Sequence, residues 1–207
     1  EVCVINIDSA EPSEYIKKVE SHNLFYFKSL TKEDTSRIES YKKIKKYNEI
    51  KTNTNDLEKF LKGLKPKISL EKINKSNVVR SAQLLAKTNQ FKFNSKIYSE
   101  KELIKIKNRT IIISFKDKMQ NYGIIGVLVF NIKKKDRILE IENWVMSCRV
   151  FSRRIENYIM DYLIKITKKK KYNKINFKFD KTKKNIYLQE FFKKLQIKIK
   201  KNKKYYS

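Results

Sequence analysis

The segment Ile138 to Glu156, ILEIENWVMSCRVFSRRIE, constrains the fold more than any other stretch of the chain. Its first half alternates apolar and polar residues, which predicts a strand over Ile138–Ser147. A Ser/Cys/Arg turn follows. The chain then enters a long amphipathic helix from Ser152 to about Lys168, with Ile155, Ile159, Tyr162, Leu163 and Ile166 on one face. A strand that feeds a helix through a tight turn points backbone N–H groups and the helix dipole at one spot, which suits an anion such as phosphate.

The flanking segments build a sheet around this unit. Upstream, Pro66 opens a strand over Lys67–Ile73. A helix capped by Ser76 or Asn77 follows, with Val78, Val79, Ala82, Leu85 and Ala86 inward, and the polar stretch Lys87–Phe91 ends it. Ser99 caps a short helix. Thr110–Phe115 and Gly123–Ile132 read as strands joined by the polar turn Lys116–Tyr122. The basic turn Lys133–Arg137 is short, so Ile138–Ser147 pairs antiparallel with its neighbour. Downstream come a strand carrying Ile175, Phe177 and Phe179, a helix over Asn185–Leu195, and a strand beginning at Gln196. From Pro66 the order is β-α-α-β-β-β-α-β-α-β, an α/β chain with a mixed sheet flanked by helices.

Before Pro66 the pattern is sparser. Val2–Ile7 has strand character, Ser13 caps a short helix to about Val19, and Leu24–Phe27 is a short aromatic segment. Thr31-Lys-Glu-Asp34 is a capping signature for a helix to about Asn48. Lys51–Asn55 reads as a linker, and Asp56–Leu64 as a helix closed by Gly63.

Composition narrows the functional classes. No run of 18 or more apolar residues is present, so no membrane span is expected. The start, EVCVINID, shows neither a basic n-region nor a cleavage site. Two cysteines far apart, Cys3 and Cys148, make no disulfide framework, and a reduced, cytoplasmic setting is the expectation. A single histidine, His22, argues against a His-rich metal site, so no metal is expected. The net charge of +28 has three readings. It attracts nucleic acid, it attracts an acidic protein or phosphorylated ligand, or it reflects a Lys-, Ile- and Asn-rich composition. The lysines are scattered along the chain rather than gathered in one aromatic-interleaved stripe, which favours the compositional reading over nucleic acid. The sequence does not specify an oligomeric state.

Three segments together resemble a known family. They are Ala82-Gln-Leu-Leu-Ala-Lys-Thr-Asn-Gln-Phe91, Asp117 with Tyr122-Gly123-Ile-Ile-Gly126-Val127, and Trp144-Val-Met-Ser-Cys-Arg-Val150 with Glu156. They resemble the C-terminal half of FkbH-like proteins, which join a haloacid-dehalogenase-type (HAD) phosphatase domain to a GCN5-related N-acetyltransferase (GNAT)-like domain. The resemblance implies a GNAT-like acyltransferase domain over residues 65–207. It makes residues 1–64 the C-terminal remnant of a HAD domain plus linker helices. Asp8 is not followed by the paired aspartate of HAD catalysis, so phosphatase chemistry is not expected. The implied activity is transfer of an acyl group, glyceryl in that family, to or from an acyl carrier protein, with acyl-CoA or the carrier's phosphopantetheine as cofactor.

The resemblance also implies site residues. The family's pyrophosphate loop, R/Q-x-x-G-x-G/A, falls on Arg149, Val150, Phe151, Ser152, Arg153 and Arg154, with Met146 and Ser147 leading into it. Ser152 and Arg154 replace both glycines. Phe192 stands where such folds place a tyrosine general acid, with Tyr187 nearby. Asn185 either caps the last helix or bonds a cofactor amide. Cys148 is read either as a thiolate nucleophile carrying a thioester or as a small buried residue, and Cys3 as core. Glu140 and Glu142 share a strand face. Glu142, nearer the turn, is the candidate general base, and Glu140 is expected on a solvated sheet face, paired with lysines. Asn89, Gln90, Tyr122 and Trp144 are candidate substrate contacts. For these the competing roles are helix capping for Asn89 and Gln90, a pocket wall for Tyr122 and a core anchor for Trp144. A second reading of the whole domain is a non-catalytic module that binds the carrier protein or its pantetheine arm.

Overall fold

Three β-branched and aromatic segments pair as an antiparallel meander that forms the spine of the fold. In chain order the elements are helices α1 (Tyr15–Ser21), α2 (Arg37–Thr52) and α3 (Leu57–Gly63), strand β1 (Lys67–Lys72), helices α4 (Val78–Lys87) and α5 (Glu100–Lys105), strands β2 (Thr110–Lys116), β3 (Asn121–Lys133) and β4 (Ile138–Met146), helix α6 (Ile155–Lys169), strand β5 (Lys174–Phe177) and helix α7 (Ile186–Lys194). This is a computed structural model, and it describes residues 11–21, 37–52 and 56–197. The chain divides into two units, Glu1–Lys42 and Lys43–Ser207. The second unit takes in the C-terminal part of α2 and all of α3 along with the sheet.

The sheet order is β1-β2-β3-β4-β5. β1, β2, β3 and β4 pair antiparallel, with Ile112 opposite Val127 and Leu128 opposite Trp144. β5 runs parallel to β4, from Ile138 opposite Lys174 to Ile141 opposite Phe177. A parallel pair needs a crossover, and α6 supplies it. The fold is therefore a mixed α/β sheet flanked by helices, as the alternating patterns predict.

Both sheet faces are covered. One face packs Phe115, Leu128, Ile141, Trp144 and Met146 against Ile155, Ile159 and Leu163 of α6 and Leu188, Phe191 and Phe192 of α7. The other packs Ile112, Val127, Val129 and Val145 against Val78, Leu84 and Leu85 of α4 and Leu103 of α5. Two-sided burial explains why the middle of β3 reads as a nearly continuous apolar run. A bulge in β4 pairs Asn143 with Val129 and Ile141 with Phe130, leaving Glu142 as the extra residue. It shifts the alternation so that Leu139 and Ile141 before it, and Trp144 and Met146 after it, join the same core.

Some expected details differ. Val79 and Ala86 face solvent rather than the core. β5 ends at Phe177, and Phe179 is buried just beyond it. Gln196 and Ile197 lie in a turn after α7, and the remainder of the expected last strand lies outside the described residues. So do Cys3, Asp8, His22, the Val2–Ile7 and Leu24–Phe27 segments and the Thr31–Asp34 cap.

Gly63 does not terminate α3. It sits in the last turn, and Lys65, at φ +50°, takes the left-handed position beyond the cap. Lys171 at φ +54° and Gln196 at φ +54° do the same after α6 and α7. In both, paired C-terminal hydrogen bonds close the helix: Tyr172 N to Thr167 O at 2.9 Å with Lys171 N to Lys168 O at 3.1 Å, and Ile197 N to Phe192 O at 3.1 Å with Gln196 N to Lys193 O at 3.0 Å. With 3 glycines in 207 residues, the chain places side-chain-bearing residues where glycine is cheapest. Lys171→Gly and Gln196→Gly should each stabilise the protein by about 1 kcal/mol, since a left-handed residue with a Cβ costs about that much. Urea unfolding checks this, and an unchanged or lowered midpoint in both variants contradicts it.

Candidate functional site at the end of strand β4

β4 ends at Met146, and Ser147 N donates to Ile125 O at 2.7 Å. Cys148–Val150 form one tight helical turn, anchored by the fully buried Val150. Ser147 Oγ accepts from Arg149 N at 3.4 Å and Arg149 Nε at 3.3 Å. The backbone then turns left-handed twice, at Ser152 (φ +67°) and Arg154 (φ +56°). These are the two positions where the resemblance places glycine. The loop keeps the glycine-type path without the glycines, at a cost of roughly 1–2 kcal/mol per residue.

Arg153, between them, holds that path. Its side chain is 2% exposed, and its Nε meets Asp117 Oδ2 at 3.3 Å. The guanidinium donates to the Tyr122 hydroxyl and to Arg149 O at 3.2 Å. It lies over the rings of Tyr47 and Tyr122, 3.8 and 4.7 Å from their centroids. Tyr47 in turn donates to Ser152 O at 3.1 Å. Asp117 is fixed by Met119 N at 2.8 Å and Gln120 N at 3.1 Å. Burial pushes the Tyr47 and Tyr122 hydroxyls above their usual 10.0, against the opposing pull of Arg153, so both serve as neutral hydrogen-bonding groups. Outside this cluster, Arg154 reaches Glu58 of α3 at 2.8 Å.

The first turn of α6 carries a second polar group. Glu156 is 6% exposed, and its Oε1 accepts from the Tyr187 hydroxyl at 2.7 Å. Its Oε2 is buried with no hydrogen-bond partner. The carboxylate sits where the helix dipole favours negative charge. The Tyr187 hydroxyl also accepts from Ser152 N at 3.4 Å, and its ring stacks on Phe151 with centroids 3.9 Å apart. Burial and the Glu156 charge raise the Tyr187 hydroxyl well above its ordinary value. Phe192 is 1% exposed and packs among Phe93, Phe177, Phe179 and Phe191. On α7 it is therefore Tyr187, not position 192, that presents a hydroxyl to the loop.

Beyond Ile141 and Phe177, β4 and β5 stop pairing, and residues 91–94 fill the gap. Phe93 N donates to Trp144 O at 3.2 Å, Met146 N to Phe91 O at 3.0 Å, and Asp180 N to Phe93 O at 2.8 Å. Asn94 Nδ2 donates to Glu142 O at 2.6 Å. Phe91 and Phe93 are fully buried against Trp144 and the α7 phenylalanines. Asn185 locks the segment: its Nδ2 donates to Lys92 O at 3.0 Å and Asp180 O at 2.8 Å, while its Oδ1 accepts from Thr182 N and Gln189 Nε2. Its side-chain amide is committed to the chain itself.

Met146, Ser147, Cys148, Arg149, Val150, Phe151, Ser152, Arg153 and Arg154 thus converge, with Tyr187 and Glu156 joining them. Cys148 is exposed, not the buried residue of the alternative reading. Glu142 stands apart. It lies four residue steps along the strand from Met146, about 13 Å, with Cys148 further on, too far for a base that must reach the thiol by a hydrogen bond. Its carboxylate lies 3.8 Å from Lys178 Nζ. Glu140 is ion-paired with Lys133 at 2.8 Å and Lys178 at 2.9 Å, as expected, but its side chain is 6% exposed, so it is buried beneath the lysines rather than on a solvated face. Trp144 is a fully buried core anchor and Tyr122 a partner of Arg153. Asn89 and Gln90 are exposed in the stretch leaving α4. Glu156, at the end of the family-like motif, is the functional candidate that residue patterns alone did not single out. Among the described residues no group of three or more His, Cys, Asp or Glu side chains could hold a metal ion, and no helix is long and apolar enough to cross a membrane.

No protein-family model matches the chain, and no curated protein matches it in sequence. Solved structures similar to it include a GNAT-family acetyltransferase from Staphylococcus aureus, at 17% identity over 66% of this chain and 89% of that one, with a TM-score of 0.49. A Trypanosoma brucei acetyltransferase is 16% identical over 68% of this chain and 99% of that one, with a TM-score of 0.46. A ribosomal-protein-alanine N-acetyltransferase from Brucella melitensis is 9% identical over 68% and 98%, with a TM-score of 0.47.

Two stability outcomes follow. Arg153→Ala strands the buried Asp117 carboxylate and should cost about 3–5 kcal/mol in urea unfolding. A loss below about 1 kcal/mol would show that Arg153 does not hold the loop. For Glu140, burial alone would raise the carboxyl, but hydrogen bonds and charge from Lys133 and Lys178 hold it below 4.5. A depressed folded-state value stabilises the fold above 4.5, and that contribution disappears as pH falls through the lower value. The difference in urea midpoint between wild type and Glu140→Gln should therefore be widest near neutrality and close at acidic pH. A pH-independent difference contradicts it.

Proposed function

We propose that this chain is an acyltransferase-like domain of FkbH type, and that Cys148 exchanges an acyl group with the thioester of a phosphopantetheine arm on an acyl carrier protein. The observation that carries this reading is the exposed Cys148 at the end of β4, on a loop that twice adopts the left-handed path expected of glycine. In the exchange, the Cys148 sulfur attacks the thioester carbonyl carbon. A new carbon–sulfur bond forms and the carrier's carbon–sulfur bond breaks. The departing pantetheine sulfur takes up the proton released by Cys148. The family resemblance makes glyceryl the acyl group of choice.

Free CoA fits the loop poorly. Glu156 buries a carboxylate at the start of α6, Arg153 turns its guanidinium inward, and the Ser152 N–H is taken by Tyr187. A pyrophosphate placed there meets like charge and side-chain Cβ atoms rather than an open nest. The reading therefore assigns the donor to a carrier-bound arm.

A second reading, a non-catalytic module that docks a carrier protein, is favoured by residues 91–94. An extended amide-bearing arm needs a free strand edge to add to, as a strand does. That edge already pairs with the chain's own Phe91 and Phe93. Intact-mass measurement separates the two readings. Incubation with an acylated carrier protein should add one acyl mass at Cys148 and none in Cys148→Ser. Carrier binding with no mass increase in wild type would sink the acyl-transfer reading and leave the docking one.

A further inference from the structure

The lysines look scattered in the sequence, but the fold gathers many of them at the end of the sheet opposite Cys148. Three turns meet there: residues 105–109 before β2, the β3–β4 hairpin 133–137, and the stretch 168–174 from the end of α6 into β5. Together they carry twelve Lys and Arg residues and one acid, Asp136. Their association is built into the fold. Arg109 Nη1 donates to Asn131 Oδ1 at 3.2 Å, and Asn173 N to Arg137 O at 2.7 Å. Asn173 Nδ2 donates to Asp136 O at 3.0 Å, and the Arg137 guanidinium to Lys171 O. Lys133 pairs with Glu140, but the side chains of Lys134, Lys135 and the lysines at 168–171 stand exposed.

We propose that this basic end is a sequence-independent binding surface for the phosphate backbone of duplex nucleic acid. The turns lie at the ends of four adjacent strands, β2 to β5, a row about 15 Å wide at the usual strand spacing. That is comparable with the roughly 12 Å width of the major groove, so the turns can straddle phosphates of both strands. Among the described residues no exposed aromatic side chain lies on these turns, so they present no stacking platform for single strands. They also lack the buried aromatic anchor on which protein interfaces depend. What remains is a rigid array of cations, the arrangement that binds by displacing counterions.

The test is fluorescence anisotropy with a 30-base-pair duplex across a salt series. A quadruple variant at the basic end, Lys134→Ala, Lys135→Ala, Lys168→Ala and Lys170→Ala, is compared with a control of equal charge change elsewhere, Lys181→Ala, Lys183→Ala, Lys184→Ala and Lys193→Ala. All eight lysines are exposed, so neither set opens the core. Loss of four phosphate contacts should flatten the log–log salt slope by about 3–4, and the control should flatten it by less than about 1. Equal flattening in both variants overturns the proposal, because the attraction is then diffuse charge with no site. Absence of duplex binding at about 50 mM salt overturns it as well. Polyglutamate that binds with the same affinity and the same dependence on the basic-end lysines assigns the surface to an acidic protein instead.

Discussion

The buried guanidinium of Arg153 is the contact on which the site depends. It joins the hairpin turn at Asp117, the ring of Tyr122 in β3, the ring of Tyr47 in α2 and the carbonyl of Arg149. On either side of it the backbone turns left-handed at residues that carry Cβ atoms. Such a path persists only when its surroundings over-determine it. Here the surroundings are one charge with several directed partners, in a setting where an unpaired charge would cost several kcal/mol. The loop after β4 is thus a tensioned structure held from inside the molecule. Its outer surface is left to Cys148 and the start of α6.

The second organising feature is that the chain completes its own sheet. Diverging parallel strands leave backbone groups that need partners. Residues 91–94 supply them, and the phenylalanines of this segment fill the aromatic core between the sheet and α7. Asn185 spends its whole side-chain amide on holding this insert and the turn that follows. Together with Arg153, this places the cavity-forming potential of the fold largely in internal service. Cys148 is left exposed at the rim.

Glycine scarcity runs through the same logic. Lys65, Arg137, Ser152, Arg154, Lys171 and Gln196 all take positive φ, against a single glycine, Gly123. The helix ends and turns survive because their hydrogen bonds are made regardless of side chain, as the paired C-terminal bonds of α6 and α7 show. Reading Gly63 as the terminator of α3 failed for this reason. A glycine-poor chain separates the residue type from the conformation it usually marks.

Alternating apolar residues and cap signals determined the strands, the helix order and the mixed sheet, because burial of one or both faces imposes period 2 or 3.6 on any chain. The Ser99 cap and the Glu140–lysine pairing were legible for the same local reasons. Only the tertiary structure decided the rest. It turned Arg153 inward, replaced Phe192 by Tyr187 at the loop, and threaded residues 91–94 between β4 and β5. It also separated Glu142 from Cys148 by the length of a strand, and collected lysines from three distant turns at one end of the sheet. These outcomes depend on contacts across some 30 to 105 positions of sequence, as between Tyr47 and Ser152, which are 105 residues apart. No local pattern of charge or hydrophobicity encodes which side chains such contacts will consume.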